Sequence, residues 1–166
     1  MERVWVVIPA GGRGQRFGAA QAKQYVLLRD RPVIAHTLAA FLGEPRIAGI
    51  QLVLPGEDIA TGAWRELLGP MPAPLLPPVV GGGLRADSVR LGLEALLRQG
   101  AVPSDWVLVH DAARPCLRRE DLTCLTDYLA ILSTVCFKTG AVTFGLVQTM
   151  AYLNLILMRK NLKIIM

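Results

Sequence analysis

The chain has 166 residues, a hydrophobic fraction of 52% and a charged fraction of 19%, with 16 Gly and 11 Pro, which excludes a disordered, collagen-like or coiled-coil chain. One domain, with or without an appendage, is the expectation at this length, and its core needs no disulfide or metal staple. The net charge of +5 divides unevenly: residues 1–128 hold 13 Arg and 1 Lys against all 13 acids, whereas residues 129–166 hold 1 Arg, 3 Lys and no acid, so the first 128 residues give no electrostatic case for DNA or RNA.

Val4 to Ile8 is an apolar run bounded by Pro9, the pattern of a buried parallel strand. A glycine loop from Ala10 to Gly14 and a short helical or irregular stretch lead to Lys23-Gln24-Tyr25. Residues 33–41 read as a helix with Pro32 at its start. Residues 50–54 read as a second strand, stopped by Pro55-Gly56, and 60–68 as a helix. Five Pro in the nine residues 70–78 predict a loop, and Val79-Val80 ends a short third strand before Gly81-Gly82-Gly83. Residues 88–99 read as a helix with Asp87 or Ser88 as N-cap and Gly100 as its stop. Residues 106–110 form a fourth strand ending in Asp111-Ala112-Ala113-Arg114-Pro115. Strands alternating with helices predict an α/β fold, a parallel sheet covered on both faces, whose ligands gather at the carboxyl ends of the strands. Residues 9–16, 81–88 and 110–115 lie at those ends.

The first loop, PAGGRGQRFG, lets backbone N–H groups close on phosphate oxygens. It is not a Walker A loop, because no Gly-Lys-Ser/Thr closes it, and Phe17 stands where a dinucleotide fingerprint needs Gly or Ala. Arg13, Arg16 and Lys23 suit a triphosphate better than a pyrophosphate bridge, although the loop taken alone is better read as a glycine turn with solvated cations. Asp111, at a strand end, is placed either to hold Mg²⁺ on nucleotide phosphates or to cap the next helix. Arg114 is placed to pair with Asp111 or with phosphate. The glycines at 81–83 admit a flat base or ribose, and Ser88 is positioned to donate to a base edge; for Asp87, capping is preferred. His110 is read as a packing residue at a strand end and His36 as structural.

The order PAGGRGQRFG, KQY, GGGLRADSV, VLVHDAARP resembles the 2-C-methyl-D-erythritol 4-phosphate cytidylyltransferase family over roughly residues 3–128. The resemblance implies a three-layer αβα, Rossmann-like nucleotidyltransferase domain. It also implies transfer of CMP from CTP to 2-C-methyl-D-erythritol 4-phosphate, with release of pyrophosphate and dependence on Mg²⁺, in the non-mevalonate isoprenoid pathway. Carried over by position, Arg16 and Lys23 are the catalytic cations. Pro9, Ala10, Gly11, Gly12, Gly14, Gly82, Gly83, Ser88 and Ala112 line the nucleotide, and Asp111 is the metal-binding acid. Such chemistry needs positioned cations more than acid–base groups. Gly83-Leu84 departs from the acid found there in many members. The family's acceptor-binding Thr and Arg, its late Lys and its dimerising arm have no match in residues 129–166. The alternatives are a cytidylyltransferase for another sugar or polyol phosphate, or an inactive nucleotide-binding remnant.

Residues 129–166 contrast with the rest. All 11 Pro precede residue 116, and both Asn, Asn154 and Asn161, lie in this tail. GC-rich codons serve Arg, Ala, Gly and Pro, and AT-rich codons serve Lys, Asn and Ile, so the contrast predicts a separate coding origin such as a frameshift. Residues 1–128 are thus expected to form the nucleotide-binding domain and 129–166 an atypical apolar tail that covers the sheet edge poorly. Residues 139–158 carry no charge over a span's length, but Gln148 and Asn154 disfavour lipid. Three cysteines without a CxxC pair, and no signal-peptide pattern, predict reduced thiols and a cytoplasmic protein.

Overall fold

A computed structural model describes residues 3–11, 22–70, 72–139 and 163–165. Its centre is β1, Val4–Pro9, flanked in parallel by β4, Ile47–Leu54, and β6, Trp106–Val109. A second, two-stranded sheet pairs β2, Leu27–Leu28, with β3, Arg31–Pro32. The five-stranded sheet runs β5-β4-β1-β6-β7, with β5 at Leu75–Val80 and β7 at Lys163–Ile165, all its pairs parallel.

Period-two alternation sends the side chains of β1 to opposite layers. Val4, Val6 and Ile8 join Ile34, Leu38 and Phe41 of α1 (Val33–Leu42), Trp64 of α3 (Ala63–Leu68), and Leu122 and Leu129 of α5 (Arg119–Thr139). Trp5 and Val7 pack with Val89, Leu93 and Leu96 of α4 (Arg85–Arg98). The three-layer α/β expectation therefore holds. The boundary drawn at residue 128 falls inside α5, whose Leu129 is buried in the core.

Four local expectations need correction. The strand drawn from residue 50 begins at Ile47. Residues 60–68 do not form one helix but belong to α2, Gly56–Thr61, and α3, broken at Gly62 with φ +71. The loop expected to reach Pro78 is a strand from Leu75 onward, because β5 lies at the sheet edge, where proline is tolerated. The β4–β5 register shifts between Gln51 and Val53, and there the buried Gln51 amide donates to the carbonyl oxygens of Pro77 (2.8 Å) and Leu52 (3.0 Å). A polar side chain thus ties the proline-bearing strand to its neighbour. Finally, α4 begins at Arg85 rather than Ser88, with Leu84 as N-cap and the Asp87 carboxylate accepting from the Leu84 N–H (3.3 Å). Gly100, at φ +92, follows its end as expected.

The packing of α4 on the sheet depends on Gly92. A Cβ there would lie 2.6 Å from Val7 Cγ1 and 2.9 Å from Val53 Cγ2. Gly92→Val is expected to destabilise the fold by about 3 kcal/mol through overpacking, read as an earlier urea midpoint. An unchanged midpoint would show that α4 can lift from the sheet without cost.

Candidate nucleotide and metal site

Chain order turns back at β1: β4 and β5 build one side of the sheet, and the chain then crosses to β6 on the other. The crevice at such a reversal, outside the strand ends, is where α/β folds bind ligands. At its floor the Ala10 N–H donates to the Val53 carbonyl oxygen (2.8 Å) and the Gly81 N–H to that of Leu54 (2.8 Å). These bonds hold the first and middle loops side by side. Gly11 sits so close to the middle loop that a Cβ would stand 3.2 Å from Ser88 Oγ and 3.9 Å from the Gly82 carbonyl oxygen.

Ser88 is buried, and its hydroxyl accepts from the Gly82 N–H (3.2 Å). The hydroxyl expected to donate to a base edge is here engaged with the backbone of Gly82. Gly82 has no room for a side chain, since a Cβ would overlap that of Asp87, whereas Gly83 opens onto free space. Ala112 is buried, and its carbonyl oxygen accepts from the Thr37 hydroxyl (2.9 Å), which pins the third loop to α1.

Lys23 is exposed and opens a 3₁₀ turn, Lys23–Tyr25. Its two neighbours explain its position. The buried Gln24 amide donates to the Ala10 carbonyl oxygen (2.8 Å), and the Tyr25 hydroxyl donates to Asp58 Oδ2 (2.6 Å). Burial, reinforced by the Asp58 carboxylate, pushes the Tyr25 phenol above its usual range. The KQY element is thus one exposed cation on two buried struts, placed beside the end of β1.

Asp111 is partly exposed and follows β6. Arg85 reaches it from the first position of α4, with Nε 2.9 Å and Nη2 2.8 Å from Oδ1. Arg114 Nε lies 3.0 Å from Oδ2. Burial pulls the Asp111 carboxyl upward, but the Arg85 hydrogen bond and the charges of Arg85, Arg114 and His110 outweigh it and hold the group below its ordinary value. It is therefore a carboxylate at neutral pH. His110 packs edge-on against Phe41 (ring centroids 5.3 Å apart), and His36 Nε2 lies 2.7 Å from the Leu28 carbonyl oxygen; both are structural, as expected.

Of the expected site residues, Ala10, Gly11, Gly82, Gly83, Asp111 and Ala112 lie on the loops that follow β1, β5 and β6, Pro9 ends β1, Ser88 stands in the first turn of α4, and Lys23 opens the 3₁₀ turn. Gly12, Gly14 and Arg16 lie outside the described residues. Sequence reasoning assigned no role to Arg85 or Gln24. Their signals are an arginine two residues after a glycine segment, at a helix start, and a glutamine beside the lysine. Neither signal names its partner.

A family model for 2-C-methyl-D-erythritol 4-phosphate cytidylyltransferase (IspD) matches residues 4–149, past residue 128. A 2-C-methyl-D-erythritol 4-phosphate cytidylyltransferase of Acidithiobacillus ferrooxidans (strain ATCC 53993 / BNL-5-31) is 96% identical over 130 residues, covering 78% of this chain and 55% of the relative. A crystal structure of 4-diphosphocytidyl-2C-methyl-D-erythritol synthase is similar with TM-score 0.61 and 31% identity, over 76% of this chain and 54% of that one. A manganese complex of Rv0371C from Mycobacterium tuberculosis H37Rv shares the fold at TM-score 0.53 and 21% identity, over 75% of this chain and 58% of that one. The chain spans about half the length of the curated relatives it matches. With residues 4–149 matching that model and a relative of that name 96% identical over 130 residues, this chain belongs to the 2-C-methyl-D-erythritol 4-phosphate cytidylyltransferase family.

Proposed function

We propose that this chain binds CTP with a divalent cation, Mg²⁺, and carries the nucleotide side of CMP transfer to 2-C-methyl-D-erythritol 4-phosphate. In that reaction a phosphate oxygen of the acceptor bonds to the α-phosphorus of CTP, the bond to the β-phosphate breaks and pyrophosphate leaves. The acceptor oxygen is already anionic, so no general base is needed. The supporting observation is the meeting of three strand-end loops at the β1 reversal, with an ionised carboxylate, Asp111, on the third and the turn of Lys23 tied to the first through Gln24.

The donor set suits Mg²⁺. Among the described residues no group of three or more His, Cys, Asp or Glu is placed to hold a metal, and Mg²⁺ commonly takes one or two carboxylates and completes its shell with phosphate and water oxygens. Asp111 would supply the protein oxygen, and the ion would draw charge from the phosphates. Pro9, Ala10, Gly11, Gly12 and Gly14 would line the triphosphate with backbone, Gly82, Gly83, Ser88 and Ala112 the cytidine, and Lys23 with Arg16 would neutralise the charge that grows on the leaving pyrophosphate.

Calorimetric titration of the full chain with CTP, UTP and ATP in Mg²⁺ tests this reading. CTP is expected to bind tightest; equal affinity for all three, or a preference for ATP, would overturn it. A second reading, nucleotide binding without turnover, is favoured by residues 129–166, where the acceptor-binding Thr and Arg and the late Lys of the family are not recognisable. Pyrophosphate release near ordinary enzyme rates with CTP and 2-C-methyl-D-erythritol 4-phosphate would refute it, and release only with another polyol phosphate would reassign the acceptor. Exposed free thiols at Cys116 and Cys124 support a reducing, cytoplasmic setting. Among the described residues no helix is long and apolar enough to cross a membrane.

A further inference from the structure

We propose that Arg85 is a positioning residue for the metal-binding carboxylate: it neutralises Asp111 in the nucleotide-free protein and releases it to a divalent cation only when a triphosphate draws the guanidinium away. The inference rests on the nucleotide-and-metal reading above. Both oxygens of Asp111 already carry a guanidinium, Oδ1 that of Arg85 and Oδ2 that of Arg114. A divalent ion needs a carboxylate oxygen at roughly 2.0–2.1 Å, so it competes with the guanidinium groups for the oxygen lone pairs, and a bare ion approaches against two positive charges.

The geometry lets Arg85 be the one that moves. It is the first residue of α4, and Gly83, two residues before it, opens onto free space; exposure does not single it out, since its side chain is 51% exposed and that of Arg114 75%. Its planar fork matches phosphate as well as carboxylate. An ion pair this exposed adds little to fold stability, so stability alone is a weak reason for an arginine here. A triphosphate entering beside Gly82 supplies the anions that take Arg85 over, and Asp111 then turns to the ion that travels with the nucleotide. Metal and nucleotide thus bind together, and the bare metal binds weakly.

The test is Mn²⁺ binding followed by electron paramagnetic resonance on the full chain, with and without CTP. The variants are Arg85→Gln, Arg85→Lys and the double variant Arg85→Gln with Asp111→Asn. Without nucleotide, Arg85→Gln is expected to bind Mn²⁺ roughly tenfold more tightly than wild type, because one repelling charge is gone. Arg85→Lys, which keeps the charge, is expected to stay near wild type, and the double variant to lose the gain. With CTP present the order reverses, Arg85→Gln binding the Mn²⁺–CTP complex several-fold more weakly. A purely structural arginine would weaken both measurements, so equal or lower Mn²⁺ affinity of Arg85→Gln without nucleotide overturns the proposal. Failure of wild type to bind the Mn²⁺–CTP complex overturns instead the functional reading, and the nucleotide-free comparison still decides the role of Arg85.

Discussion

Lys23→Ala is expected to weaken binding of CTP in Mg²⁺ by about 2 kcal/mol, roughly 30-fold in Kd, the usual worth of a hydrogen bond to a charged group. The thermal midpoint is expected to stay unchanged, because Lys23 is exposed while its neighbours Gln24 and Tyr25 carry the packing. Arg16→Ala is expected to act alike, since the function proposed above gives the triphosphate to both cations. Gln24→Ala keeps the charge but removes the amide that ties the turn to the Ala10 carbonyl. It is expected to lose a smaller part of the affinity together with some stability. Isothermal titration of the variants separates charge from placement. Lys23→Ala binding CTP as well as wild type would remove this lysine from the site.

Asp105→Ala is expected to destabilise the fold by about 3 kcal/mol, the cost of stripping buried donors of a charged acceptor. Asp105 is 1% exposed and accepts from the Arg3 N–H (2.9 Å), Arg3 Nη2 (2.9 Å), Trp5 Nε1 (2.9 Å) and the Val102 N–H (3.0 Å). It ties the start of β1 to the turn before β6. Burial raises its pKa, but the hydrogen bonds from Val102, Arg3 and Trp5 prevail and hold it below the ordinary carboxylate value. A depressed folded pKa stabilises the fold fully above the unfolded pKa, and the contribution is lost as pH falls through the folded one. Wild type is therefore expected to lose stability across the acid range, below about pH 4. Asp105→Asn should start lower and fall less steeply there. Parallel acid limbs in urea melts of the two proteins would show that Asp105 does not carry this dependence.

The residues of β1 and β6 are continuous apolar runs, and burial on both faces of a parallel sheet leaves few other places for them; the observed register pairs Val4 with Trp106 and Val7 with Val109. The first glycine loop and Asp111 were legible for the same reason, since each closely follows such a run. α5 was not drawn, although Glu120 and Asp121 in its first turn are a fitting start. β5 was hidden because five prolines in 70–78 argue for a loop unless the strand is known to be an edge. That is a fact about neighbours.

What the sequence by itself determined is the layer order and the strand ends at which ligands collect, because hydrophobic periodicity and glycine placement are local properties of the chain. Only the tertiary structure decided which polar groups meet. Gln51 tied to the Pro77 carbonyl, Gln24 on the Ala10 carbonyl and Arg85 on Asp111, 26 residues apart, are such meetings. Such pairs leave no periodic trace: one hydrogen bond or charge finds its partner only after the sheet has brought distant segments together, and the same side chains would be solvated on any other scaffold.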